Sequence, residues 1–178
     1  MNQIKYSFVI PAFNEEENIP LIFRRIVELS VSLDGNWELI FINDGSSDQT
    51  LEVLKKLASE NNQVKYIDLS RNFGHQAALT SGLAHAKGDV IISMDCDLQD
   101  PPEIILRMIE KWKDGNDIVY ARRIERHDSF FKKYTAIGYY KILDKFSNIR
   151  VPRNVGDFRL MNRRSLNELL KLKENLIL

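Results

Sequence analysis

Five short apolar runs punctuate the first 120 residues: YSFVIPA (6–12), WELIFIND (37–44), VKYIDLS (64–70), DVIISMD (89–95) and DIVYA (117–121). They are rich in β-branched and aromatic residues, and most are continuously apolar rather than alternating, which is the pattern of strands covered on both faces. Between them lie stretches of helical period. In 15–33, Ile19, Ile22, Phe23, Ile26, Val27 and Leu29 fall on one stripe. Residues 46–61 open with Ser47 as an expected N-cap and Asp48 in the first turn, where negative charge suits the helix dipole. Residues 74–88 are rich in small side chains and close on Gly88, the expected C-cap. Residues 101–115 start on two prolines and end at Gly115. Strand and helix in strict alternation predict an α/β fold: a Rossmann-like, mostly parallel sheet with helices on both faces. A chain of 178 residues makes one such domain.

In an open sheet of this kind ligands bind outside the carboxyl ends of the strands. Those ends read PAFNEE, NDGSSD, LSRNFG, DCDLQD and ARRIER, so most are polar or charged. Neither G-x-G-x-x-G nor G-x-x-x-x-G-K-[ST] occurs, which disfavours a dinucleotide-binding domain and a P-loop enzyme.

The fourth strand end, DCDLQD (95–100), carries the most negative charge. Asp95 and Asp97 are one residue apart, so in extended backbone their side chains point the same way and repel unless a cation or donors lie between them. Hard oxygen ligands suit Mg²⁺ or Mn²⁺, and Gln99 on the same alternation offers an amide oxygen. Asp100 is read as the cap of the helix that follows. Asp44, after the second strand, is placed to accept hydrogen bonds from a base or ribose, although DGSSD is equally ordinary turn chemistry. Asn14 and Glu15 extend the polar rim. Together they draw one edge of a nucleotide site. His75, His85 and His127 are not spaced as a metal cluster and read as structural or solvated.

Net charge is zero but unevenly distributed. Residues 1–117 hold 11 Lys and Arg against 19 Asp and Glu, and residues 118–178 hold 14 against 6. The basic C-terminal third suits an anionic partner such as phosphates or a membrane surface; nucleic acid is disfavoured because the basic charges flank an acidic site. Cys96 is the only cysteine, so no intrachain disulfide forms. No stretch has a secretory-signal pattern or the length of a membrane span.

VIPAFNEEENI, FINDGSSDQT, RNFGHQAALTSGLAHAKGDVIISMDCDLQDPPE and NVGDFRLMNRRSL, in that order, resemble the family 2 glycosyltransferases of GT-A fold. The similarity covers roughly residues 5–170 and is greatest to the polyprenyl-phosphate sugar transferases, the dolichyl-phosphate mannose synthase and bactoprenol glucosyltransferase group. It implies an inverting, metal-dependent transfer of a sugar from a UDP- or GDP-sugar to undecaprenyl or dolichyl phosphate. By position it implies that Pro11, Ala12, Asn14 and Glu15 form the first nucleotide loop and that Asp44 contacts the nucleoside. Asp95 and Asp97 would carry metal and diphosphate, with Gln99 an accessory ligand. Asp157 would stand near the acceptor as base or orienting group, with Arg159 its basic companion, and Arg122 and Arg123 would face donor diphosphate or acceptor phosphate. Residues 1–120 become the nucleotide-sugar part and 121–178 the acceptor side of one catalytic domain. Transfer to a soluble or glycan acceptor, and a non-catalytic nucleotide-sugar-binding module, are the competing readings.

Phe131, Tyr134, Ile137, Tyr140, Leu143 and Phe146 recur every three residues among Lys132, Lys133, Lys141 and Lys145. Such a stripe fits either a core-packing helix or one lying in a membrane interface. The resemblance favours the interface and a place at the cytoplasmic face of the membrane, leaves room for a homo-oligomer, and implies a parent chain continuing into transmembrane helices.

Overall fold

A computed structural model describes residues 4–97, 99, 101–122 and 155–174. Its elements run β1 (Ile4–Ala12), α1 (Asn18–Ser30), β2 (Asn36–Asn43), α2 (Thr50–Glu60), β3 (Val64–Asp68), α3 (His75–His85), β4 (Val90–Ser93), α4 (Ile104–Lys113), β5 (Ile118–Arg122), β6 (Val155–Asn162) and α5 (Arg163–Glu174). One six-stranded sheet has the order β3-β2-β1-β4-β6-β5. The three pairings among β3, β2, β1 and β4 are parallel. The two made by β6 are antiparallel. All five expected strands are present.

The sixth strand was not foreseen. In VGDFRLMN the polar Asp157 and Arg159 alternate with the apolar Phe158 and Leu160, a short period-two signal that a search for continuous apolar runs passes over. Side-chain alternation divides the sheet between two cores. Tyr6, Phe8, Ile10, Leu39, Phe41, Ile92, Phe158 and Leu160 pack on one face with residues of α1, α2 and α4. Val9, Ile40, Ile42, Ile91 and Met161 pack on the other with α3 and α5. Gly82 lets α3 lie this close, since a Cβ there would stand 2.5 Å from Val9 Cγ1.

Several local expectations change. Val27 is exposed, because α1 buries the narrower stripe of Ile19, Ile22, Ile26 and Leu29. The second helix begins at Thr50 rather than after Ser47, and it is Asp48 whose Oδ1 accepts the Thr50 N–H (3.0 Å). Gly88 is not the cap of α3, which ends at His85. It is glycine because the backbone passes against β1, with its N–H donating to Ser7 Oγ (2.7 Å) and no room for a Cβ 2.8 Å from the Ser7 nitrogen. Gly115 does follow the end of α4, with φ of 100° and its N–H bonded to the Trp112 carbonyl. The Asp100 cap, His127 and the aromatic stripe of 131–146 lie outside the described residues. Among the described residues no helix is long and apolar enough to cross a membrane.

Glu38 of β2 is buried and accepts bonds from Ser7 Oγ (2.6 Å), the Lys87 N–H (2.6 Å) and Lys65 Nζ (2.5 Å). Burial alone would push its carboxyl up, but the bonds from Lys65, Ser7 and Lys87 outweigh that and hold it below the ordinary glutamate value. A carboxyl depressed by folding stabilises the fold above its unfolded pKa and loses that contribution as pH falls through the folded value. Glu38→Gln should therefore cost about 1–3 kcal/mol at pH 7. The gap from wild type should narrow on acidification below the ordinary value of 4.5. Urea denaturation across that range checks this, and a gap independent of pH would contradict it.

Candidate active site

The sheet changes direction of growth between β1 and β4: the chain builds outward from β1 through β2 and β3, then crosses back to lay β4 on the other side. Diverging loops leave a crevice at such a point. A cleft of about 450 Å³ occupies it, at the carboxyl ends of β1, β2, β3 and β4. Of the expected residues, Pro11, Ala12, Glu15, Asp44, Asp95, Asp97 and Asp157 line it. Phe13, Asn72, Gly74, His75 and Cys96 line it too and were not among the expected site residues.

Asp157 reaches the cleft through strand pairing. Ser93, the last residue of β4, is paired with Arg159 of antiparallel β6, so Asp95 two residues beyond and Asp157 two residues before arrive at the same level. Ser93 Oγ donates to the Asp157 carbonyl (2.7 Å) and fixes the junction. From the opposite wall, the start of α3 presents two donors to one carboxylate oxygen. His75 Nε2 and Gln76 Nε2 both lie 3.0 Å from Asp157 Oδ2. His75 Nε2 also lies 3.5 Å from Asp95 Oδ1. One ligand atom each from His75, Asp95 and Asp157 falls within a 4.8 Å group. His75 is thus part of the site rather than merely solvated. Sequence spacing hid this, because residues 75, 95 and 157 meet only through the sheet.

β4 ends at Ser93, so Asp95 and Asp97 stand in the following turn rather than on one face of a strand. Both still face the cleft. Asp97 is exposed, and its Oδ1 accepts the N–H of Gln99, itself exposed and outside the cleft lining. Cys96 between them is buried. Burial, reinforced by the neighbouring charges of Glu15, Asp97 and Asp95, pushes its thiol far up, so it stays protonated at neutral pH and is no nucleophile.

On the other side of the cleft, Asp44 is buried and organises backbone. Its Oδ1 accepts the Phe73 N–H (2.8 Å) and its Oδ2 the Gly74 N–H (3.0 Å). Gly45 has φ of 65°, and a Cβ there would lie 2.3 Å from the Arg71 carbonyl carbon, so glycine lets this loop close down on the β2 turn. Asn14, also at positive φ (57°), accepts bonds from Ser47 through Oδ1 and donates its N–H to Ser46 Oγ (3.0 Å). It ties the β1 and β2 loops together from outside the cleft lining. Glu15 donates its N–H to Thr50 Oγ1 (2.8 Å). Arg159 projects away from the cleft into a separate small cavity. Arg122 ends β5 opposite Val155 of β6, and Arg123 lies outside the described residues.

Residues 7–170 match the family profile described as Glycosyl transferase family 2. The chain belongs to that family. Its relatives include an uncharacterised glycosyltransferase of Bacillus subtilis, 48% identical over 96% of this chain and 53% of the relative. The prophage bactoprenol glucosyl transferase homolog of Escherichia coli is 46% identical over 90% of this chain and 53% of its own length. The bactoprenol glucosyl transferase of Shigella phage SfX is 43% identical over 96% and 56%. The chain thus spans about half the length of the curated relatives it matches. Among solved structures, a Pyrobaculum calidifontis mannosyltransferase in complex with GDP-Man and Mn²⁺ superimposes with a TM-score of 0.63 at 18% identity, covering 94% of this chain and 47% of that one. Glucosyl-3-phosphoglycerate synthase from Mycobacterium tuberculosis, in complex with UDP, gives 0.65 at 23% identity over 90% and 57%. The glycosyltransferase domain therefore has the GT-A architecture expected of family 2.

Asp44 offers a direct test of how this family 2 site is assembled. Asp44→Asn turns one acceptor oxygen into a donor facing a backbone N–H. It should cost about 1–3 kcal/mol and speed amide exchange at Phe73 and Gly74. Denaturation and hydrogen exchange read the two effects, and an unchanged exchange rate at both amides would contradict the clamp.

Proposed function

We propose that this domain transfers a sugar from a nucleotide-diphospho-sugar to a polyprenyl phosphate at the cytoplasmic face of a membrane, with inversion at the anomeric carbon and with Mg²⁺ or Mn²⁺. The observation that carries the reading is the convergence of Asp95, Asp97 and Asp157 on one cleft at the β1–β4 switch point. The names of the bactoprenol glucosyl transferase relatives support the lipid acceptor. The Mn²⁺ and GDP-Man on a structure of like fold support the donor class and the cation.

The donor set fits a hard divalent cation. Asp44, Asp95, Asp97, Asp157 and Glu15 line the cleft, and among the described residues no Lys or Arg side chain does, so a divalent cation would offset the repulsion between these acids and a diphosphate. Asp95 and Asp97 would hold the ion, with Gln99 on the adjoining turn as accessory ligand and His75 and Asp157 beside it. When bound, the ion offsets the negative charge that grows on the departing nucleoside diphosphate. Pro11, Ala12 and Glu15 of the β1 loop, which Asn14 braces from outside the lining, and the loop clamped by Asp44 would form the walls for the nucleoside. A phosphate oxygen of the acceptor attacks the anomeric carbon as the bond to the diphosphate breaks. That oxygen is already anionic, so little base assistance is needed. Asp157, its Oδ2 fixed by His75 and Gln76, serves to orient rather than to deprotonate. Arg122, at the same edge of the sheet, and Arg123 after it would meet the phosphates.

Polyprenyl phosphate in vesicles, incubated with labelled UDP- and GDP-sugars and Mn²⁺, should yield a lipid-linked sugar with one donor. Label passing only to a soluble glycan would sink the lipid-acceptor reading. In calorimetry, Asp97→Asn should weaken Mn²⁺-dependent binding of the matching nucleoside diphosphate at least about tenfold, or about 1.4 kcal/mol. Unchanged affinity in that variant would remove Asp97 from the metal site.

A further inference from the structure

Behind the active cleft lies a second space, a cavity of about 170 Å³ between α3, β6 and α5. Four leucines wall it: Leu79 and Leu83 from α3, Leu169 and Leu170 from α5. Arg159 of β6 and Gln76 and Thr80 of α3 complete the lining. Arg159 is the unusual member. Its Nε is buried without a hydrogen-bond partner among the described residues. A half-buried guanidinium facing leucines is costly unless an anion meets it.

The two spaces adjoin. Gln76 lines the cavity while its Nε2 donates to Asp157 in the cleft. Asp157 and Arg159 share one face of β6, two residues and so about 6.8 Å apart along the strand. An anion held by Arg159 therefore lies within a side chain's reach of the acid at the reaction centre. A dry cavity of about 150 Å³ walled by aliphatic side chains holds a six-carbon hydrocarbon, so the present one has room for a single five-carbon isoprene unit.

We infer that this cavity, walled largely by leucines and headed by Arg159 with its buried Nε lacking a partner, receives the head end of an isoprenoid phosphate, with the phosphate on the guanidinium and the first isoprene unit among the leucines. The inference rests on the lipid-acceptor reading above and deepens it: the acceptor approaches from the α3–α5 side, under Gln76. Farnesyl phosphate is a soluble probe of that chemistry, and inorganic phosphate and farnesol separate its two halves.

By calorimetry, farnesyl phosphate should bind saturably and at least about tenfold more tightly than either inorganic phosphate or farnesol. Arg159→Gln, which removes the charge, and Leu170→Trp, which fills the space from the half-buried face of α5, should each weaken it at least about tenfold. Both variants should keep wild-type affinity for the nucleoside diphosphate, which also reports that they fold. Wild-type affinity for farnesyl phosphate in both variants would overturn the inference. So would inorganic phosphate binding as tightly as farnesyl phosphate, since that marks a plain phosphate site. Failure here together with lipid-linked product in the vesicle assay removes the cavity and leaves the function. Loss of lipid transfer with intact, Arg159-dependent farnesyl phosphate binding does the reverse.

Discussion

The register of β6 against β4 is the constraint on which the site depends. Inserted antiparallel between two strands that run the other way, β6 carries Asp157 to the edge where β4 ends. Had β6 slipped by one residue, every side chain would change faces. Phe158 and Leu160 would leave the core they share with β4, and Asp157 would turn from α3 toward the opposite layer. The buried apolar pair therefore fixes where the acid goes, and the Ser93 hydroxyl on the Asp157 carbonyl adds a polar lock at the junction. Core packing and the geometry of the cleft are set by the same pairings.

Residues 73–76, at the entry to α3, then tie the site's two halves together. Phe73 and Gly74 give their N–H groups to Asp44 on one side of the cleft, and His75 and Gln76 give side-chain nitrogens to Asp157 on the other. Four consecutive residues thus bridge two carboxylates from different strands. Glycine at 45 permits the approach and glycine at 82 lets the helix behind it sit down on β1 and β2. The result is a cleft in which Asp44 and Asp157 are each held in place by hydrogen bonds from one short segment.

Much of this was legible from the chain. Uninterrupted apolar runs located five strands, and their polar ends located the cleft, because a sheet buried on both faces can expose polar groups only at its edges and ends. Asp44, Asp95 and Asp97 stood out for that reason. His75 and Gln76 did not, since nothing in their local sequence separates a site histidine from a solvated one at the start of a helix. β6 was missed because its signal is alternation over four residues, Asp157 to Leu160. Gly88 was misassigned because a glycine demanded by a neighbouring strand looks the same in sequence as one demanded by a helix end.

The sequence by itself determined the α/β alternation, the helical stripes, the absence of a glycine-rich phosphate cradle and the acidic strand end at Asp95 and Asp97, all of which follow from local periodicity and residue chemistry. Only the tertiary structure decided that Asp157 stands level with Asp95, that His75 lies between them, and that Arg159 faces leucines instead of the cleft. These depend on the register and direction of a strand more than sixty residues away along the chain, and pairing at that range is fixed by how the cores fill, which no local pattern records.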